Sequence, residues 1–544
     1  MQAVLLFMST VLLFGDLYFL KNKEDKFKRI SKEEYLVSFI VIASLLAIYM
    51  KMTGILDSAY HFIDDHEIFR MNAAIEQKGI LQAAIDWMKN DMKIRFRPTY
   101  WIVRFFECFV CGTSMYRWHL FQLCLATLSF YIAYLFIRMK KCLPGLAAAF
   151  IIIVFWGEQS AVIWRLGPQE NMGILFVMLT LICLHNYSVK RTILNFALLF
   201  LMTALVGGIK ESFLILIPLF PCVLIIQVIK TEKVLTLKVI WEKIKKEIIY
   251  IACAALLFVA GIGIVRFRVG LLQIGYAGID DSFKIQDYIE KIGYICRKVL
   301  WNYIVLIIIA IIIWGITEWN LRGKDKVKSQ VRNLNMLLLI LMFLFGIGCQ
   351  LVLYAKSGMY ERYLIPTTLI IGLFVISGLC YYFVSTDKKS FIVYYLYVFL
   401  FVCNVVFGSD ADKMAKSYAQ EGKDTTALLD KIGEYKDKNP DIIVSLGGAE
   451  REISTSIYLQ HKWEMSHVYN IVYSASPEGF ATDGYGETEV VRIPVDEGDM
   501  YIFYVDKTSE MMVEYKLKVD DFEIYNYGDF DLCVVKDFNT RQKS

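Results

Sequence analysis

The chain has 544 residues, carries a formal net charge of +4 and is 57% hydrophobic. Soluble globular proteins are about 45–50% apolar, so this composition, with a mean hydropathy of +0.47, excludes an ordinary soluble domain. The small positive charge gives no reason to expect a nucleic-acid partner. We therefore predict an all-α polytopic membrane protein of the cell membrane.

Apolar runs recur along the chain as far as residue 408, many of them close to the 20 or so residues that a membrane-spanning helix needs. They predict about twelve spans, at residues 1–20, 35–52, 117–137, 143–158, 171–187, 193–208, 212–229, 248–265, 299–317, 333–354, 364–384 and 390–408. The first run has no basic segment before it, so we interpret it as a retained helix and not as a signal peptide.

Basic segments between the predicted spans indicate the orientation of the chain. They lie at residues 21–34, 138–141, 190–191, 230–247, 318–332 and 388–389, all on one side in the twelve-span topology. Because Lys and Arg are enriched in cytoplasmic loops, this side is predicted to be cytoplasmic. The external segments are then residues 53–116, 157–170, 266–298 and 354–363, with both termini outside.

The first external loop, residues 53–116, contains a run of four ionisable residues, Asp64-Asp65-His66-Glu67. Charge is scarce in a chain of this kind, so a tight acidic cluster close to the membrane points to chemistry, although solvated loop acids would look the same. Asp64 or Asp65 has the chemistry of a general base that takes a proton from a hydroxyl group.

Two helices are predicted in the rest of this loop. Residues 68–89 have apolar side chains at helical spacing and predict a helix lying on the membrane surface. Residues 99–111 form an apolar run that is short for a span, and counting it as one would reverse every later loop. We interpret it as an interfacial or re-entrant helix.

Charged residues of the external segments form a second candidate group, which we expect to surround one external cavity. The residues assigned to substrate binding are Arg97, Arg165, Glu170, Lys210, Glu361 and Arg362. Arg binds phosphate through its two-pronged fork and Lys binds it as a point charge, so the group suits a lipid-linked phosphate. Contact with membrane lipid headgroups is the alternative for each basic residue.

The last 136 or so residues differ in character from the preceding spans. Short apolar runs at residues 441–446, 500–505 and 532–535 predict strands, and residues 425–436 predict a helix. We therefore divide the chain into a transmembrane domain, residues 1–408, which includes the first external loop, and a small extracytoplasmic α/β domain, residues 409–544.

From Asp57 to Trp156 the chain resembles the GT-C glycosyltransferases, multi-span membrane enzymes that use polyprenyl-phosphate sugars and include protein O-mannosyltransferases and lipid A aminoarabinose transferases. The resemblance rests on the order of features: an acidic start to the first external loop, a surface helix, a basic-proline-aromatic segment and Arg117-Trp118 before the next span. The basic-proline-aromatic segment is Arg95-Phe96-Arg97-Pro98-Thr99-Tyr100-Trp101-Ile102.

The resemblance implies an inverting glycosyltransferase. Asp64 or Asp65 would activate the acceptor hydroxyl, while Lys210 and Arg362 would hold the phosphate of a polyprenyl-phosphate sugar. The acceptor would be a cell-envelope glycan, a glycolipid or a protein. Some relatives place a divalent metal between the acids and the phosphate, and His66 and Glu67 are the candidate ligands here.

Three points stay open at the level of sequence. The family pair is often Asp-Glu, so the run Asp64-Asp65-His66-Glu67 does not decide which residue is the base. A transporter or flippase of lipid-linked saccharides is the main alternative, although such proteins usually have internal repeats and charges deep within spans. A non-catalytic scaffold whose tail binds cell-wall components is the third interpretation.

Overall fold

A computed structural model describes most of the chain. The described residues are 30–140, 144–155, 157–229, 236–269, 285–298, 340–355, 361–385, 411–447, 449–470, 479–482, 488–491 and 495–539, with scattered helical positions between 301 and 338. The predicted spans at residues 1–20 and 390–408 lie outside these ranges, as does much of the span at residues 299–317.

Helices make up most of the described chain. In order they are α1 (Lys32–Met52), α2 (His66–Lys78), α3 (Ile80–Asp91), α4 (Pro98–Cys111), α5 (Met115–Met139), α6 (Pro144–Val154), α7 (Ala161–Trp164), α8 (Glu170–Val189), α9 (Ile193–Gly207), α10 (Glu211–Leu214), α11 (Leu219–Ile229), α12 (Leu237–Ile264), α13 (Ile285–Lys298), α14 (Cys349–Ala355), α15 (Ile365–Ser385), α16 (Ala411–Gly433), α17 (Ala449–Trp463) and α18 (Thr508–Glu514).

Five helical stretches among the described residues are long and apolar enough to cross a membrane. They are Lys32–Met52, Met115–Met139, Glu170–Val189, Glu211–Ile229 and Lys238–Phe267. Shorter apolar helices lie at Ile193–Gly207, Ile340–Leu351 and Ile365–Ile376. By length and composition the chain is therefore a helical membrane protein, and the full count of twelve spans stays a prediction.

Two of these stretches have little protein around them. Only 17% of the apolar window in Lys32–Met52 and 22% of that in Lys238–Phe267 is buried inside the protein. Leu36 and Leu256 are more than 60% exposed. Large exposed apolar surfaces are unusual on water-soluble proteins and are the norm for helices that face lipid.

The chain divides into two compact units. Unit 1 comprises Met1–Tyr49, Ala84–Val103 and Leu123–Asp412, and unit 2 comprises Met50–Ala83, Arg104–Gln122 and Lys413–Ser544. This division differs from the expected boundary at residue 408, because unit 2 combines parts of the first external loop with the C-terminal segment. The apolar side chains of Tyr60, Phe62 and Phe69 are buried in the core of that unit.

A seven-stranded sheet forms the centre of the described part of unit 2. Its strands are β1 (Ile442–Ser445), β2 (Val468–Asn470), β3 (Gly479–Thr482), β4 (Thr488–Val491), β5 (Met500–Tyr504), β6 (Phe522–Tyr527) and β7 (Phe530–Val535). Their order is β4-β3-β2-β1-β5-β7-β6, and β1 is parallel to both β2 and β5. The three predicted strands are confirmed as β1, β5 and β7, whose apolar residues are buried.

The predicted surface helix at residues 68–89 is two helices in the structure. Gly79 separates α2 from α3 with a φ of +76°, a conformation that glycine adopts without steric cost. Ile68, Phe69 and Met71 are buried, and α2 packs against α17 within unit 2. The apolar face of α2 therefore contributes to a protein core.

Helices α8 and α9 of unit 1 form a tightly packed hairpin. The hydroxyl oxygen of Thr192 accepts a hydrogen bond from the backbone N–H of Asn195 at 3.2 Å, which caps the start of α9. Because α8 has 20 residues, it is about 30 Å long at 1.5 Å per residue. The turn at Lys190–Thr192 and the residues that follow α9 thus lie at opposite ends of the hairpin.

Candidate functional site

The centre of the candidate site in unit 1 is a buried ion pair. Lys210 follows α9 and Glu170 is the first residue of α8, so both lie at the same end of the helical hairpin. The ammonium nitrogen of Lys210 is 2.7 Å from Oε1 of Glu170, and their side chains are 10% and 1% exposed. Charges are rarely buried at this depth unless they are paired and hydrogen-bonded.

A second positive charge lies close to this pair. Burial lowers the pKa of the Lys210 ammonium group, the carboxylate of Glu170 acts in the opposite direction, and the charge of Arg95 lowers the pKa further. The neighbouring acid, Glu211, accepts a hydrogen bond from the backbone N–H of Phe96 at 2.6 Å. Two cations, Lys210 and Arg95, and two carboxylates, Glu170 and Glu211, therefore lie near one another in a poorly solvated place, where charges interact strongly with each other and with any bound anion.

Close backbone contact fixes the segment that carries Arg95 against the turn that carries Lys210. The backbone N–H of Thr99 donates to the carbonyl of Gly208 at 2.8 Å. A side chain at position 208 would meet Oγ1 of Thr99 at 2.2 Å, so only glycine permits this approach. The site therefore depends on a glycine that the charge pattern did not single out.

Two other predicted external segments, residues 157–170 and 354–363, also reach this end of unit 1. The ammonium nitrogen of Lys210 lies 3.8 Å from the ring centre of Tyr363, and the segment Gly157–Ser160 contacts Glu361–Leu364. The side chains of Glu361 and Arg362 are outside the described residues, so their assignment to substrate binding stays a prediction. Residues that the sequence assigned to four separate external segments or turns are thus neighbours here.

Arg97, expected to bind phosphate, forms a two-pronged ion pair with Asp91. Its Nε and Nη2 atoms lie 2.8 and 2.9 Å from the two carboxylate oxygens, and its guanidinium group lies 4.9 Å from the ring centre of Trp101. A carboxylate therefore occupies the fork that would take a phosphate. Arg165 follows α7, with its guanidinium group 5.6 Å from the ring centre of Trp164.

The acidic run Asp64-Asp65-His66-Glu67 belongs to unit 2, at the start of α2. Asp65 is fully buried, and its Oδ2 atom accepts a hydrogen bond from the backbone N–H of His61 at 2.9 Å. The imidazole of His61 contacts the same oxygen at 3.2 Å and stacks on the ring of Tyr418, with ring centres 3.6 Å apart. Asp65 thus holds together a packed segment, and a bulky acceptor has no access to it.

Asp64 differs from its neighbour in exposure and in backbone conformation. It is partly exposed, and its φ of +72° lies in the left-handed region that Asp tolerates better than most residues. Its carbonyl oxygen accepts a hydrogen bond from the backbone N–H of Glu67 at 3.2 Å, in the first turn of the helix. Of the two candidate bases, Asp64 is the one that a substrate can reach.

The two predicted metal ligands do not converge on one point. His66 and Glu67 are consecutive residues in the first turn of α2, and consecutive helical positions do not face each other. Burial lowers the pKa of the His66 imidazole. In the part of the chain that the structure describes, no group of three or more His, Cys, Asp and Glu residues is placed to hold a metal ion.

Comparisons with known proteins do not identify the chain. No protein-family model matches it, and no curated protein matches it.

Proposed function

We propose that this protein is a membrane glycosyltransferase that moves a sugar from a polyprenyl-phosphate donor to an acceptor hydroxyl. The observation that carries the proposal is the buried Lys210–Glu170 pair at one end of a membrane-length helical hairpin, where the segment that carries Arg95 is held against the same turn. The phosphate of a polyprenyl lipid lies at the end of the hydrocarbon layer, at the depth where such a hairpin ends.

Partly buried cations suit the leaving group of this reaction. When the bond between the anomeric carbon and the phosphate oxygen breaks, negative charge develops on the phosphate. Cations already in position stabilise that charge most strongly where water is scarce. Lys210, with a side chain only 10% exposed, meets that condition.

The acceptor needs a base, and we assign that role to Asp64. The hydroxyl oxygen attacks the anomeric carbon, the polyprenyl phosphate leaves, and the hydroxyl proton passes to the Asp64 carboxylate. Attack from the side opposite the phosphate inverts the configuration at the anomeric carbon. Partial exposure of Asp64 supports this assignment, while complete burial of Asp65 favours a positioning role.

Substitution of the two aspartates tests the assignment of the base. In Asp64→Asn we expect sugar transfer from radiolabelled polyprenyl-phosphate hexoses to fall by about 10²–10⁴-fold, the usual contribution of a general base. Donor affinity should stay unchanged, because the substitution is nearly isosteric. Asp65→Asn should instead lower thermal stability, since a buried hydrogen-bonding partner of His61 is altered.

The control for these variants is Asp57→Asn, which removes an exposed carboxylate from the same loop. Asp57 pairs with Lys51 on the surface, and such pairs contribute about 0–1 kcal/mol. Transfer at the wild-type rate in Asp64→Asn would remove this residue from the chemistry. Donor that crosses the membrane without being consumed would favour a transporter.

The donor site is tested by removing both charges of its central ion pair. Lys210→Met alone would remove the ammonium group that lies against the buried carboxylate of Glu170, so the informative variant is the double change Lys210→Met with Glu170→Gln. We expect it to fold and to bind the donor at least about tenfold more weakly, a difference of about 1.4 kcal/mol.

A matched control for the double variant is Lys190→Met. Lys190 is exposed and lies at the other end of the α8–α9 hairpin, so its removal should leave donor affinity unchanged. Equal donor affinity in the wild type and in the Lys210→Met/Glu170→Gln variant would exclude this cluster as the phosphate site.

A further inference from the structure

We propose that a cavity inside unit 2 binds a short neutral oligosaccharide, the acceptor of the transfer; this inference rests on the proposed function. The cavity has a volume of about 580 Å³ and is lined by residues from α2, α16, α17, the segment before α2, and the turn before α5 with the first residue of that helix. Sites for small organic ligands commonly measure about 300–1,000 Å³.

Aromatic rings form one wall of the cavity. The ring centres of Tyr60, Phe69 and Tyr458 are 4.6–5.9 Å apart, so the three rings pack on one another. Hydrogen bonds hold two of them in place: the Tyr60 hydroxyl donates to the carbonyl of Ser454 at 2.9 Å, and the Tyr458 hydroxyl donates to Asp430 at 2.8 Å. A ligand therefore meets an apolar surface that is already ordered.

Apart from Ala59, Ala73 and Met115, the remaining lining is polar and includes amide, carboxylate, hydroxyl, imidazole and ammonium groups. The amide of Asn72 donates to the carboxylate of Glu76 at 2.7 Å, and Thr113 and Thr426 add hydroxyl groups. Donors and acceptors are thus both present around the cavity. Sugar hydroxyls donate and accept hydrogen bonds at the same atom, as the hydroxyls of Ser and Thr do, so they match a mixed lining of this kind.

The charges of the lining argue against an anionic ligand. Lys462 lies 2.7 and 3.0 Å from the two carboxylate oxygens of Asp430, so its positive charge is offset. Glu76 adds a negative charge. Phosphate and nucleotide sites instead gather several cations or backbone N–H groups around the ligand. A neutral ligand with apolar C–H faces and many hydroxyl groups fits the aromatic wall and the polar lining together.

Direct binding to the full-length protein in lipid nanodiscs tests this inference. The probes are labelled maltotriose, cellotriose, mannotriose and the trimer of N-acetylglucosamine. At least one should bind with a dissociation constant near or below about 1 mM. Thr113→Trp should weaken that binding at least about tenfold, because Thr113 is an exposed lining residue and a large ring there would occupy part of the cavity. Asn72→Ala should weaken it by removing a polar group without adding bulk.

Control variants and competition separate this inference from the proposed function. Gln77→Trp adds the same ring to α2 outside the lining and should leave binding unchanged. Asp64→Asn should bind the trisaccharide normally even with transfer lost. Saccharide binding without transfer from any of the donors in the wild type would therefore count against the proposed function and keep the cavity only as a saccharide-binding site.

Three results would overturn the inference. They are lack of binding by all four trisaccharides, equal binding by the wild type and Thr113→Trp, and displacement of the saccharide by inorganic phosphate at similar concentrations. If transfer with an unchanged KM persists in Thr113→Trp, the proposed function stands and the cavity is not the acceptor site.

Discussion

The charged side chains at the two ends of the α8–α9 hairpin are paired in different ways. After α8, Arg191 places its Nε and Nη2 atoms 2.9 and 2.6 Å from one oxygen of Glu247. After α9, Lys210 meets Glu170 with a single ammonium group and has Arg95 nearby. The first arrangement is one cation with one carboxylate, while the second gathers two cations and two carboxylates, Glu170 and Glu211.

The same contrast appears at the end of α5, where Arg138 and Glu34 form a closed pair. Nε and Nη2 of Arg138 lie 2.5 and 2.7 Å from the two oxygens of Glu34. The sequence assigned Arg138, Glu34, Arg191 and Glu247 to cytoplasmic loops and Lys210 to an external one. Single two-pronged pairs are thus found on the predicted cytoplasmic side, and a cluster of two cations and two carboxylates on the predicted donor side.

The largest effect on stability should come from breaking the pair at the end of α5. Arg138 is fully buried, so Arg138→Met leaves the Glu34 carboxylate partly buried without its cation. We expect a loss of about 3–5 kcal/mol in the free energy of unfolding. Chemical denaturation in detergent measures it. The combined change Arg138→Met with Glu34→Gln should recover most of the loss, and donor affinity of the folded protein should be unaltered in both variants.

A rise in the donor dissociation constant of the folded Arg138→Met/Glu34→Gln variant would contradict the assignment of this ion pair to stability alone. It would mean that the closed pair also contributes to binding of the phosphate.

A smaller effect is expected from Gly208→Ala in the turn between α9 and Lys210. The added methyl group would meet Oγ1 of Thr99 and push the two segments apart, at a cost of about 1–3 kcal/mol. Donor affinity should fall, because Arg95 moves relative to Lys210. Gly263→Ala on α12 is the control, since a side chain there meets nothing within 4 Å. Unchanged donor affinity in Gly208→Ala would show that donor binding does not depend on the spacing between Arg95 and Lys210.

The smallest effect should follow Arg191→Lys at the predicted cytoplasmic end. The positive charge stays beside Glu247 while the two-pronged contact is lost. Because the Arg191 side chain is 41% exposed, water replaces part of that contact, and we expect a loss of about 1 kcal/mol or less. Thermal unfolding in detergent measures this loss of stability. A loss in Arg191→Lys as large as that in Arg138→Met would show that the exposed ion pair contributes as much as the buried one.

Local patterns in the sequence predicted local structure well. The strands β1, β5 and β7 are short apolar runs, and their burial in a sheet follows from composition alone. Gly79 was not recognised as a break between α2 and α3, because one glycine in a helical pattern is often tolerated. The positive φ at that residue is a property of the folded chain.

Contacts between distant residues could not be predicted from one sequence. Lys210 was singled out beside Glu211, yet its partner is Glu170, which is 40 positions earlier. Arg97 was chosen for phosphate, yet Asp91 occupies its fork and Arg95 is the arginine that acts on Lys210. Such pairings depend on how helices pack, and hydrophobic periodicity carries no information about that.

The contact of Gly422 with the first external loop sets an order for folding. A side chain at position 422 would meet the carbonyl of Ser58 at 2.1 Å, and Thr426 accepts a hydrogen bond from the backbone N–H of Tyr60 at 2.9 Å. These partners are about 360 positions apart, so at about 5–20 residues per second the ribosome needs tens of seconds between them. During that interval Tyr60 and Phe62 lack the core that buries them, so the newly made loop exposes apolar surface that favours aggregation until the C-terminal segment is made.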